Sequence, residues 1–192
     1  SAIALVPVWA STFAPVIAEI AIGSDSDSNR IKALLFLSTY SRNEHTVPMI
    51  EKVIAHLPTL LAWPNKSVRL SAATLAVKLL PYSPAGADAI FKEALKQFEA
   101  TLRQTGKDAY TRNGVQFPFF TCQLSKILSF KTQWSDNELD TYETLVFYIL
   151  ESLKTDISRQ QLILLNDFFR FVPSAHVSNN TLKAMFDRLV TC

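Results

Sequence analysis

The chain has 192 residues, 48% of them hydrophobic, with 13 Phe and only 4 Gly. That length buries a sizeable core, and so few glycines leave no room for a phosphate-cradling loop and argue against a turn-dense β-sandwich. Basic and acidic residues number 19 and 17, a net charge of +2, and the two signs mix along most of the chain without the Lys and Arg clusters that nucleic-acid affinity needs.

The first 18 residues, SAIALVPVWASTFAPVIA, carry no charge. A membrane span needs about 20 mostly apolar residues, and Glu19, Pro7, Pro15 and several small polar residues break the run, so no span is expected. Val6, Trp9, Phe13, Ile17 and Ile20 recur at three- and four-residue steps, which predicts an amphipathic end helix over 1–22 packed through that stripe. No stretch has the form of a cleavable signal peptide, and the opening Ser suggests a processed or trimmed start. SDSDSN, residues 24–29, is expected to be a short loop ending in a cap.

A repeat follows. NRIKALLFLSTYSR places Ile31, Leu34, Leu37 and Tyr40 on one stripe, and a shift of 39 lays it on Leu70, Ala73, Ala76 and Leu79. A weaker copy is Thr121, Leu124, Ile127 and Phe130, and a shift of 92 lays Leu70, Ala73, Ala76 and Leu79 on Leu162, Leu165, Phe168 and Phe171. The copies start at 31, 70, 121 and 162, in steps of 39, 51 and 41, the mark of stacked helical hairpins. In the last copy Asn166 and Asp167 interrupt an apolar stripe, so they are read as a polar position rather than an active site.

Each copy is followed by a second helix. Ile50, Val53, Ile54, Leu57 and Leu61 form the first apolar face, with Pro48 near its start and Pro58 expected to kink it. Ser83 and Pro84 are expected to cap and open the next helix, whose face is Ile90, Phe91, Ala94, Leu95, Phe98 and Leu102. Ser135 and Glu138 form a capping box before Leu139, Tyr142, Leu145, Val146, Ile149, Leu150 and Leu153. Ser178 caps the last, where Leu182, Met185, Phe186, Leu189 and Val190 pack. TGKDAYTRNGVQFPFF, residues 105–120, is expected to be an irregular insertion, a common location for a binding face in repeat arrays.

The fold expected is therefore all-α: a right-handed α-solenoid of about four helix–turn–helix repeats, approximately 28–63, 66–104, 110–155 and 158–192, after the end helix 1–22, about nine helices in a single domain over 1–192.

Chemistry is harder to find. His45, His56 and His176 have no Cys, Asp or Glu at metal-ligand spacing, and Cys122 and Cys192 have no nearby His. The two distant cysteines make no disulfide framework and point to a reducing compartment, with Cys122 in the core. Asp136, Glu138, Asp140 and Glu143 sit at a helix start, where acids favour the dipole. A hydrolase elbow, phosphate loop and dinucleotide fingerprint are absent. No catalytic residue, cofactor, metal or small-molecule substrate is expected.

Partner contacts are the remaining candidates. Tyr40-Ser41-Arg42-Asn43 recurs as Tyr110-Thr111-Arg112-Asn113, with Arg42 and Arg112 able to reach helix-end carbonyls or a partner's carboxylate. Trp63 and Trp134 are candidate interface anchors or plugs between hairpins. Residues 52–87 hold four bases and no acid, and 136–156 hold six acids and one Lys, an asymmetry suited to orienting a protein partner or to an ordinary solvated face.

The array of two-helix units, above all RQQLILLNDFFRFVPSAHVSNNTLKAMFDRLV, resembles organellar helical-repeat proteins of the pentatricopeptide and octotricopeptide type, with HEAT-like arrays the nearest competitor. The uneven steps depart from the fixed unit of a base-reading pentatricopeptide protein, so no base-reading residues carry over. In size and helix count the chain is also similar to the small pentatricopeptide-like subunits on the catalytic head of euglenozoan mitochondrial ATP synthases. That resemblance implies a non-catalytic, mitochondrial role docked on protein subunits of a larger complex, with organellar RNA binding as the alternative.

Overall fold

The structure, a computed structural model, describes residues 5–40, 50–82, 84–109, 119–152 and the separate positions 166, 183, 186, 187 and 190. The side chains of 5–11, 102, 104–109, 119 and 145–152 are outside that description. The described residues are mostly helical and contain no strand. Seven α-helices run α1 (Leu5–Gly23), α2 (Asp27–Tyr40), α3 (Glu51–Leu61), α4 (Lys66–Leu79), α5 (Ala87–Ala109), α6 (Phe119–Leu128) and α7 (Asp136–Ser152), with a 3-10 turn at Leu80–Tyr82. The chain divides into two compact units, Ser1–Ala94 and Leu95–Cys192, and the division falls within α5.

In the first unit α1 packs on α2, α3 on α4, α2 on α4 and α1 on α3. The pairing is α1 with α2 and α3 with α4, out of phase with the expected repeat 28–63, whose helices α2 and α3 do not pack together to a comparable extent; alternate helices lie beside each other. The local reasons are plain. Ser24 and Ser26 bond each other in the short turn before α2, and Asp27 places a carboxylate in its first turn. Asn65 caps α4, its Oδ1 accepting from the Ser67 N–H at 2.8 Å. The α3 face emerges as expected: Ile50, Val53, Ile54, Leu57 and Leu61 are all buried. Pro58 lies within α3, and the helix runs on through Leu61.

Four expectations need correction. Of the α1 stripe, Phe13 and Ile20 are exposed and Ile17 is half-buried, with the side chains of Val6 and Trp9 outside the described residues, whereas Ala14, Ala18 and Ala21 are buried. Small side chains let the α1 backbone approach its neighbours closely, so the alanine face wins over the bulkier one. Tyr40, the last residue of the α2 stripe, is also exposed. Pro84 lies ahead of α5, not in its first turn: Gly86 adopts φ +84° and the helix starts at Ala87. Finally, residues 105–109 continue α5 rather than opening an irregular insertion.

In the second unit the core is Phe98, Leu124, Ile127, Leu128, Leu139 and Tyr142. Cys122 is buried, as expected. The Tyr142 ring lies 5.9 Å from Phe98 and 5.2 Å from Trp134, and its hydroxyl is 3.5 Å from Ser125 Oγ. The capping box forms as the sequence predicts. The Ser135 N–H donates to Glu138 Oε2 at 3.0 Å, and the Glu138 N–H donates back to Ser135 Oγ at 3.4 Å. Of the fourth expected repeat, 158–192, only Asn166, Lys183, Phe186, Asp187 and Val190 are described; all are helical and exposed. Asn166 thus occupies a polar helical position. The packing expected of Phe186 and Val190 is corrected to exposure.

Candidate docking surface

The α1–α2 hairpin carries most of the large apolar side chains left exposed among the described residues of the first unit, Tyr82 being the other. Phe13, Val16 and Ile20 on α1 are 42%, 57% and 41% exposed, and Leu35 and Tyr40 on α2 are similarly open. Tyr40 stacks its ring 4.4 Å from Phe36. An open groove of about 800 Å³ runs along this hairpin, lined by Val16, Ile17 and Ile20 of α1 and by Asn29, Lys32 and Phe36 of α2, among others. Of the exposed apolar residues Val16 and Ile20 line the groove, whereas Phe13, Leu35 and Tyr40 lie outside its lining.

The charges around the groove are unequal. Glu19 lines it but is already paired with Lys52 of α3 at 2.5 Å. Lys32 is exposed and has no ion pair among the described residues. The groove therefore offers an apolar floor with one uncompensated cation.

The base of the hairpin is held by a group the sequence reading missed. Arg30 is buried, and its guanidinium donates to three carbonyls at the end of α1: Ala21 at 2.8 Å, Ile22 at 2.7 Å and Ser24 at 2.5 Å. These include acceptors that a helix end leaves without a partner. Its charge also lies 4.3 Å from the centre of the Trp63 ring, and the Trp63 Nε1–H donates to Asp27 at 2.9 Å. Arg69 repeats the arrangement 39 residues on, donating to the carbonyls of Trp63 at 2.8 Å and Pro64 at 3.1 Å. Ser24 and Trp63 are themselves 39 apart. The signal was present: the shift that aligns the leucines also lays Arg30 on Arg69.

The four proposed contact residues fare differently. Trp63 is half-buried and committed to Asp27 and Arg30. Trp134 is half-buried, donates from Nε1 to the Lys131 carbonyl at 3.0 Å, and stacks on Tyr142. Both thus serve contacts inside the chain. Arg42 and Arg112 lie outside the described residues. So do His45, His176 and Cys192, while His56 is exposed with Nδ1 2.7 Å from the Lys52 carbonyl.

Titration behaviour is informative at one carboxyl. Partial burial pushes Glu138 up, but the hydrogen bonds from Ser135 and Lys131, with the Lys131 charge, outweigh it and hold the carboxyl below its ordinary value. This carboxylate closes the capping box at the start of α7. Among the described residues no group of His, Cys, Asp and Glu could hold a metal ion, and no helix is long and apolar enough to cross a membrane.

No known protein family matches the sequence, and neither does any curated protein. Among solved structures the chain is similar to an engineered protein, a Northeast Structural Genomics Consortium target, with a TM-score of 0.56 at 13% identity, over 91% of this chain and 67% of that one. That likeness is one of fold alone.

Proposed function

We propose that this chain is a non-catalytic protein–protein interaction subunit, a right-handed α-solenoid of about four hairpins that docks within a larger assembly. The observation that carries this reading is the α1–α2 side, where large apolar side chains stand in water around a groove. The serial architecture is supported by the equivalence of α1–α2 with α3–α4 at a spacing of 39. Ala14, Ala18 and Ala21 match Val53, Leu57 and Leu60, and Ala33, Leu34 and Leu37 match Ala72, Ala73 and Ala76, all buried. Hairpins that repeat this way stack to complete each other's cores and leave extended surfaces for partners. The resemblance to pentatricopeptide-like subunits extends the proposal to a mitochondrial assembly, with the head of ATP synthase as the first to examine.

Co-purification from the native source at physiological salt tests this. Stoichiometric recovery with defined protein subunits is the expected result; recovery only as a free monomer contradicts it. RNA binding is the second reading, favoured by the exposed Lys52, Lys66 and Lys78 in the acid-free stretch. Tight, steeply salt-dependent binding to single-stranded RNA in fluorescence anisotropy would select it, since phosphate contacts produce that slope.

A further inference from the structure

The 39-residue equivalence reveals an asymmetry between the two hairpins. In α4, which packs against α2, Val68, Ser71, Leu75 and Leu79 are all buried, at three- and four-residue steps. Their equivalents in α2 are Asn29, Lys32, Phe36 and Tyr40. Asn29, Lys32 and Tyr40 are exposed and Phe36 is half-buried. The stripe that is covered on α4 is thus open on α2, and three of its four residues line the groove with Val16 and Ile20.

The chemistry of that open stripe specifies its occupant. Where α4 has Val68 and Ser71, α2 has an amide and a cation, and Glu19 on the groove wall is turned to an exposed pair with Lys52. A helix lying there meets apolar side chains along one line and a positive charge at the lip. A basic helix would leave Lys32 facing a like charge, which disfavours it.

We propose that the α1–α2 groove docks one amphipathic helix of a protein partner, laid along α2 in the register by which α4 presents its buried stripe. Apolar residues of the incoming helix at three- and four-residue steps contact Val16, Ile20 and Phe36, and a carboxylate on its edge meets Lys32. This is helix-in-groove recognition. It rests on the docking-subunit reading and adds to it the surface and the class of partner.

The test uses the full chain, isotope-labelled for NMR, and three synthetic peptides of about five helical turns. The first carries Leu on one face and Glu along its edge, the second exchanges Glu for Lys, and the third scrambles the first. Saturable binding of the Glu-edged peptide is expected, with shifts centred on residues 16–36 and affinity about tenfold or more above the Lys-edged peptide. Lys32→Glu, an exposed change, should reverse that preference, and Phe36→Asp should weaken binding about tenfold or more with the helical circular dichroism retained. Absence of saturation, shifts centred elsewhere, or a preference untouched by Lys32→Glu would overturn the proposal. So would groove-dependent dimerisation, which makes a second copy the occupant, or displacement of the peptide by anionic vesicles. Co-purification of the Phe36→Asp chain separates the two levels: an intact native assembly defeats the groove alone, whereas a wild-type chain recovered only as free monomer defeats the docking reading itself.

Discussion

Arg30 shows how one side chain can fix a hairpin. It serves three carbonyls while lying against Trp63, so its removal leaves acceptors without a donor in a buried place. Arg30→Met should cost about 3 kcal/mol in chemical denaturation, whereas Arg69→Met, at a half-buried site with two carbonyl partners, should cost about 1 kcal/mol. Arg30→Lys should recover little, because an ammonium lacks the planar fork that reaches several acceptors and stacks on indole. At the other unit, Glu138→Gln should cost about 1 kcal/mol near neutral pH by weakening the cap and the Lys131 pair. The folded carboxyl lies below its ordinary value of 4.5, so its contribution is complete above that pH and declines as pH falls through the folded value. Denaturation curves of the two proteins should therefore converge in acid; a gap that persists at low pH would contradict the assignment.

At the scale of the helix, the lesson of α1 is that hydrophobic spacing names a face but not its orientation. Two sets of residues in α1 share helical spacing, one large and one small, and beyond residue 11 the small one is buried while Phe13 and Ile20 of the large one are exposed. Ala18→Leu should therefore overpack and cost about 1–3 kcal/mol, while Ile20→Ser, on the open side, should change stability by less than about 0.5 kcal/mol. The reverse order in thermal denaturation would restore the bulky stripe to the core. The α3 face, by contrast, was legible residue by residue, because Ile50, Val53, Ile54, Leu57 and Leu61 have no competing apolar stripe. The Ser135–Glu138 box was legible too, since both partners lie within one turn. The start of α5 was not: Pro84 fits a first turn by residue type, but Gly86 takes a left-handed conformation that no spacing rule announces. The groove escaped for a related reason. Ile17 and Ile20 on its wall look like core in sequence, and only the packing of neighbouring helices separates covered from open positions.

At the scale of the molecule, the repeat of 39 organises the first unit. It relates two helical hairpins, their buried faces and the arginines that close them, using positions that a stripe of leucines alone would not have singled out. Such an arrangement gives each hairpin one face for its neighbours and leaves others for outside partners. On the docking proposal, the exposed apolar residues of α1 and α2 are the ones a partner would cover. The most direct measurement is the sedimentation of the endogenous protein in a gently prepared extract of its source at physiological salt. The account predicts that nearly all of it travels with a particle far larger than 21.5 kDa, unaffected by ribonuclease. Sedimentation at the position of a single chain, or a large particle that ribonuclease disperses, would contradict it.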